Sequence, residues 1–158
     1  MNSIDELNMS KELFPDPYLS FLKLLNKHAV TYMIVGGYAV NFHGYNRVTG
    51  DMDVWVDASD ENKKKLLKAI DEYGYEIDPL IEMNLAETTV FNFGGAPYRI
   101  EILSSISGVK FNDAYQNRVP FMYLDLEIPF LNLKDLLQNK IVSARYKDWD
   151  DYEKLSHK

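Results

Sequence analysis

The chain has 158 residues, 46% of them apolar and 13% aromatic, a composition that supports one folded domain with a sizeable core rather than a disordered chain. Its formal charge of −7 argues against a broad nucleic-acid footprint, which needs clustered Lys and Arg; the basic residues are scattered, apart from Lys63-Lys64-Lys65. The absence of cysteine removes disulfides, thiolate metal sites and cysteine nucleophiles, and no apolar run approaches the roughly 20 residues needed to span a membrane.

The start, MNSIDELNMSKELF, has no basic region followed by an apolar stretch, so no secretion signal and a cytoplasmic location are expected. Residues 1–13 carry few packing signals and are expected to form a loosely held arm, with residues 14–158 as a single domain. Asp16 and Pro17 predict a helix start, with Asp at the N-cap and Pro at the first helical position. Tyr18, Phe21, Leu22, Leu24 and Leu25 then give an amphipathic stripe that ends near His28. Thr31 to Val35 is a short apolar strand. After Gly36-Gly37 a short helix is expected over residues 38–42, with Gly44 as its stop.

In the next strand Met52, Val54 and Val56 form the buried face, opposite Asp51, Asp53 and Trp55. Ser59 or Asp60 caps a helix whose inward stripe is Leu66, Leu67, Ile70 and Tyr73, and Gly74 ends it. Residues 75–84 give no clear pattern. Glu87 to Phe93 and Tyr98 to Leu103 are β-rich runs flanking Gly94-Gly95-Ala96-Pro97, a hairpin signal. A short helix over residues 111–117 and a second hairpin, 119–124 with 127–130, follow. Asn132 caps a helix running to about Ala144, with Leu133, Leu136, Leu137 and Ile141 inward, and a last helical piece starts near Asp148. The fold class is therefore mixed α/β (α+β), a small, mostly antiparallel sheet flanked by helices.

The chemistry concentrates in Tyr32 to Asp57. Two carboxylates at i and i+2 on a strand share a face, with roots roughly 6–7 Å apart, so Asp51 and Asp53 are placed to reach one divalent cation. The glycine pair upstream lets backbone approach a bulky anion, since no Cβ intervenes. A metal cradle beside a glycine turn suits a nucleoside triphosphate. Glu101 lies mid-strand on the less apolar face with Arg99 and Leu103; a strand placed beside residues 52–56 would bring it to the same point. Two cations about 3.5–4 Å apart need bridging oxygens to offset their repulsion, which is what a third carboxylate supplies. Oxygen-only ligands favour Mg²⁺ or Mn²⁺ over zinc.

Gly36-Gly37 followed by Arg47-Val48-Thr49-Gly50-Asp51-Met52-Asp53 resembles the signature of the nucleotidyltransferase superfamily: two glycines, a short helix and a D-x-D strand. The stretch VGGYAVNFHGYNRVTGDMDVWVD is similar to small bacterial nucleotidyltransferase-like proteins related to AbiEii-type toxins. YRIEILSSISGV and NKIVSARYKDWDDYEKL resemble that group's third-carboxylate strand and C-terminal helical segment. The resemblance implies a nucleotidyltransferase-like fold and transfer of a nucleoside monophosphate from an NTP to an acceptor, with release of pyrophosphate. Carried over by position, it implies that Asp51, Asp53 and Glu101 are catalytic and hold the metal. Gly36 and Gly37 would accommodate the triphosphate, and Arg47 and Thr49 would contact phosphate or brace the turn. Lys140, Arg145 and Lys147 match the subgroup's basic positions, for phosphate or acceptor. The third acid is Glu where Asp is often seen, one methylene longer. The acceptor stays open between tRNA, protein and a small molecule, and either a homodimer or a partner protein stays open as the way its site is completed. A non-catalytic nucleotide- or partner-binding module, such as a toxin–antitoxin component, is the alternative of a different class.

Plainer roles compete at each position. Gly-Gly between strand and helix is commonly only a turn, and Arg145 and Lys147 beside Asp148, Asp150 and Asp151 suit exposed ion pairs. His43 reads as a packed or surface histidine. A calcium loop starting at Asp51 fails, because Trp55 and Val56 stand where an oxygen ligand and a glycine are needed. No G-x-S-x-G, H-E-x-x-H or Walker sequence occurs.

Overall fold

A computed structural model describes residues 13–46, 48–123, 125–143 and 146–157. Residues 1–12 of the expected arm, Arg47, Leu124, Ala144, Arg145 and the side chain of Lys147 lie outside the described residues. The described elements run α1 (Asp16–Lys27), β1 (Tyr32–Val35), α2 (Gly36–Phe42), β2 (Met52–Val56), α3 (Asp60–Tyr73), α4 (Asp78–Ile81), β3 (Val90–Phe93), β4 (Ile100–Leu103), α5 (Phe111–Gln116), β5 (Val119–Tyr123), β6 (Leu126–Phe130), α6 (Leu133–Ser143) and α7 (Tyr146–Ser156).

Helix ends show where local chemistry decides. The first helix begins one residue earlier than its Asp-Pro signal suggests. Pro15 is the extended N-cap, and its carbonyl accepts from the Tyr18 and Leu19 amides, at 3.0 and 3.2 Å. Asp16 becomes the first helical residue, where its charge complements the helix dipole. Between the two candidate caps of α3 the structure chooses Ser59, whose side chain accepts from the Asn62 amide at 3.2 Å. Gly74 closes α3 in the left-handed conformation. Asn132 caps α6 by accepting from the Asp135 amide at 2.9 Å, while its own amide donates to the Asp135 carboxylate at 2.6 Å.

Six strands form one sheet in the order β3-β4-β2-β1-β6-β5. The pairs β1–β2, β3–β4 and β5–β6 are antiparallel, and β1–β6 and β2–β4 are parallel. The sheet is mixed and mostly antiparallel, as the sequence predicts. Its two faces differ. Phe93 pairs with Ile100 and meets Phe21 of α1 at 5.3 Å between ring centroids, so α1 packs on the face that carries Met52, Val54, Ile100 and Ile102. Phe21 also meets Tyr73 of α3, whose hydroxyl donates to the Pro17 carbonyl at 2.7 Å and ties the two helices together. Trp55 and Leu103 pair on the opposite face, where Phe111 meets the indole edge-on at 5.0 Å. Trp55 is 1% exposed, so β2 is covered on both faces rather than half-solvated.

One stripe needs correction. Leu133, Leu136 and Leu137 of α6 face the core as expected, but Ile141 is 39% exposed and Lys140 is the residue turned inward. Lys140 makes buried ion pairs with Asp148 and Asp151 of α7, which holds that face of α6 inward. Among the described residues no helix is long and apolar enough to cross a membrane.

Candidate active site

The site begins where β1 stops. Val35, its last residue, pairs with Asp53 on β2. Gly36 follows with φ +65°, a conformation costly for any side chain. A Cβ at Gly36 would overlap Oδ2 of Asp53 and lie 3.0 Å from its Cγ, so the Asp53 carboxylate rests against the glycine backbone at the start of α2. Gly36 is thus needed for the turn and for the approach of Asp53. Gly37 is buried inside α2.

The parallel pairing of β2 with β4 sets Asp53 directly beside Glu101. Both half-buried acids line a cavity of about 470 Å³, together with Gly36, Lys140 and Ser143. Asp51 and Thr49 line a second cavity, of about 490 Å³, with Arg99 and the Gly94–Pro97 turn. Two of the three expected carboxylates are therefore neighbours, and the third stands in the adjoining hollow. Among the described residues no group of three His, Cys, Asp or Glu side chains is gathered as a ready metal cage. Adjacent carboxylates still suit a hard cation, because Mg²⁺ takes one or two protein carboxylates and completes its shell with water and substrate phosphates.

Lys140 reaches the first cavity from α6 and is anchored from behind. Its Nζ lies 2.9 Å from Asp148 Oδ1 and 3.1 Å from Asp151 Oδ2, with the lysine and both aspartates no more than 3% exposed. Ser143 donates to Asp148 Oδ2 at 2.6 Å. Asp148 and Asp151 are therefore buried members of an α6–α7 cluster, not the exposed ion-pair partners expected from sequence. Tyr45 donates to Asp150 at 2.7 Å, fastening the loop after α2 to α7.

Tyr18 holds the second cavity together. It is fully buried, and its hydroxyl faces the Arg99 carbonyl at 2.7 Å and the Gly50 carbonyl at 3.2 Å. The Arg99 carbonyl also accepts from the Met52 amide at 3.1 Å. Burial is the main cause that pushes the Tyr18 phenol far above its ordinary pKa, with Tyr38 and Asp51 adding to it, so it stays a neutral donor. Tyr18, Ser143, Asp148 and Asp151 were not marked out by sequence pattern as members of the site. Only the i,i+3 spacing of the two aspartates, which puts them on one helix face, was available as a signal.

His43 is a packed histidine, as read from sequence. Its Nε2 donates to the Leu131 carbonyl at 2.7 Å, and burial holds its pKa below the ordinary value against that hydrogen bond.

A glycine turn delivering one carboxylate, with a second on the neighbouring parallel strand, is compatible with a nucleotidyltransferase-like fold. Residues 19–156 match the nucleotidyltransferases of unknown function, DUF6036, and the chain belongs to that family. No curated protein matches the chain.

Proposed function

We propose that the protein is a metal-dependent nucleotidyltransferase that moves a nucleoside monophosphate from an NTP to an acceptor and releases pyrophosphate. The observation that carries this reading is the pairing of Asp53 with Glu101 on the wall of a cavity that Gly36 and Lys140 also line. Asp53 and Glu101, joined by Asp51 from the adjoining hollow, would hold Mg²⁺ or Mn²⁺. The ion, when bound, supplies charge neutralisation at the phosphates and lowers the pKa of the attacking hydroxyl. Gly36 lets the Asp53 carboxylate press against the turn at the cavity wall, and Lys140, fixed by Asp148 and Asp151, lines the same cavity. Thr49 borders Asp51 and steadies the neighbouring phosphate or acceptor. Gly37, Arg47, Arg145 and Lys147 complete the proposed nucleotide contacts on the strength of the motif likeness. Catalysis is then mostly positioning and electrostatics for in-line transfer. A cytoplasmic location agrees with a supply of NTPs.

The second reading is a non-catalytic nucleotide- or partner-binding module, such as a component of a toxin–antitoxin pair, which the AbiEii-type likeness brings with it. It is favoured by one observation: Lys140 is already neutralised by two carboxylates. Incubation with labelled NTPs, Mg²⁺ or Mn²⁺ and cell lysate separates the two. The enzyme reading predicts label transfer by the wild type and none by the folded Asp51→Ala/Asp53→Ala variant. NTP binding without transfer by the wild type favours the module.

A further inference from the structure

The two cavities lie along one pair of neighbouring segments, the second just before their strands begin. Asp53 and Glu101 border the first, while Asp51 and Arg99, each two residues earlier on its own extended segment, border the second. That offset is roughly 6–7 Å along the chain, about the distance between a phosphate bound in one hollow and a small group bound in the next. The second hollow is also firmly built. Tyr18, itself fully buried, binds the carbonyls of Gly50 and Arg99 and so fixes the loop before β2 against the β3–β4 hairpin.

Its walls have a definite chemistry. Gly50 and Gly95 have open space where a side chain would stand, so a ligand can lie against their backbone. Thr49 adds a half-buried residue with a hydroxyl. Arg99 is exposed and, among the described residues, makes no ion pair. A guanidinium with no ion-pair partner among the described residues, sharing its hollow with the Asp51 carboxylate in a chain of net charge −7, is placed to recognise an anion.

We propose that the Arg99 hollow is the acceptor subsite, and that the acceptor is a small alcohol carrying one anionic group, a phosphomonoester or a carboxylate. The inference rests on the transferase reading given above for the Asp53 cavity. The anionic group sits on Arg99, with the hydroxyl directed past Asp51 towards the NTP. The acceptor oxygen bonds to the α-phosphorus as the bond from that phosphorus to the bridging oxygen breaks. Pyrophosphate leaves with the electron pair, and the hydroxyl proton passes to water in the open hollow. A volume of about 490 Å³ leaves room for such a ligand.

Backbone-amide NMR with two probes tests this. Glycerol 3-phosphate and glycerate are titrated separately into the wild type and Arg99→Gln, with and without saturating Mg²⁺ and the α,β-methylene analogue of ATP. Glycerol 3-phosphate, glycerate or both should move the amides of Thr49, Gly50, Gly94 and Gly95 and should persist with the analogue bound. Arg99→Gln should weaken that binding by about tenfold or more, with its spectrum otherwise folded. The more effective probe identifies the anionic group. The inference is overturned if neither probe moves those amides, if Arg99→Gln binds equally well, or if the analogue displaces the probe. The nucleotide reading is judged separately, by whether the analogue itself shifts Gly36 and Ser143.

Discussion

Gly36 is the residue on which the site geometry turns, because its positive φ and its contact with Asp53 both exclude a side chain. Gly36→Ala is expected to lose about 1–2 kcal/mol from the left-handed backbone alone, with further loss as Asp53 is pushed aside. Urea unfolding checks it, and an unchanged midpoint would mean that the turn relaxes freely. Ala29 is the converse case. It sits after α1 at φ 56°, with its amide donating to Asn26 and that of Val30 to Leu25, a helix ending that glycine suits better. Ala29→Gly is expected to raise stability by a few tenths to about 1 kcal/mol, since left-handed strain is removed at the cost of added freedom in the unfolded chain. His43 governs a pH effect. Its folded pKa is below 6.5, so the unfolded chain binds the extra proton and stability rises with pH through the window from that lower value up to about 6.5. Above the window the gain is complete. His43→Gln should flatten the slope of stability against pH by at most about 1.4 kcal/mol per unit, the limit for one proton, and an unaltered slope would refute this assignment. The glycine pair was legible in sequence, but the reason for it was not, since no local pattern shows which side chain will press against a turn.

At the scale of elements, α6 and α7 depend on a charge cluster that hydrophobic periodicity misassigns. The apolar stripe of α6 points to Ile141, yet the helix turns so that Lys140 meets Asp148 and Asp151. Removing the cation from a buried ion pair is strongly destabilising, so Lys140→Met is expected to cost about 3–5 kcal/mol. Replacing Lys140, Asp148 and Asp151 together with apolar residues should recover much of that loss while abolishing any nucleotide contact made through Lys140. Equal destabilisation in the single and triple variants would show that the cluster does not act as a unit. Tyr18 plays a comparable part between α1 and the hairpin. Tyr18→Phe removes one buried donor from two carbonyls and is expected to cost about 1–3 kcal/mol, read from thermal or urea unfolding. Strand and helix positions were legible to within a few residues, because alternation and capping are local. The partner of Tyr18 was not, because it lies 81 residues away in the chain, and those of Lys140 were not, because apolar periodicity does not show which charged side chain turns inward.

At the scale of the whole molecule, strand order does what no segment can do alone. Asp53 and Glu101 are 48 positions apart in sequence and become neighbours only because β4 inserts parallel beside β2, between it and β3. The alternating pattern in residues 99–103 gave the correct face for Glu101, and the fold then supplied the neighbour. Asp51, expected on the strand, lies just before β2 begins and borders the second hollow, so the expected three-carboxylate centre reads as a pair and a flanking acid. The most direct measurement is a Mn²⁺ titration followed by paramagnetic broadening of backbone amides, with the α,β-methylene analogue of ATP present. Selective loss of the Gly36, Asp53 and Glu101 signals at low Mn²⁺, absent in Asp53→Asn/Glu101→Gln, is the predicted result. Broadening centred elsewhere, or the same pattern in that double variant, would contradict the assignment of this pair as the ion-holding centre.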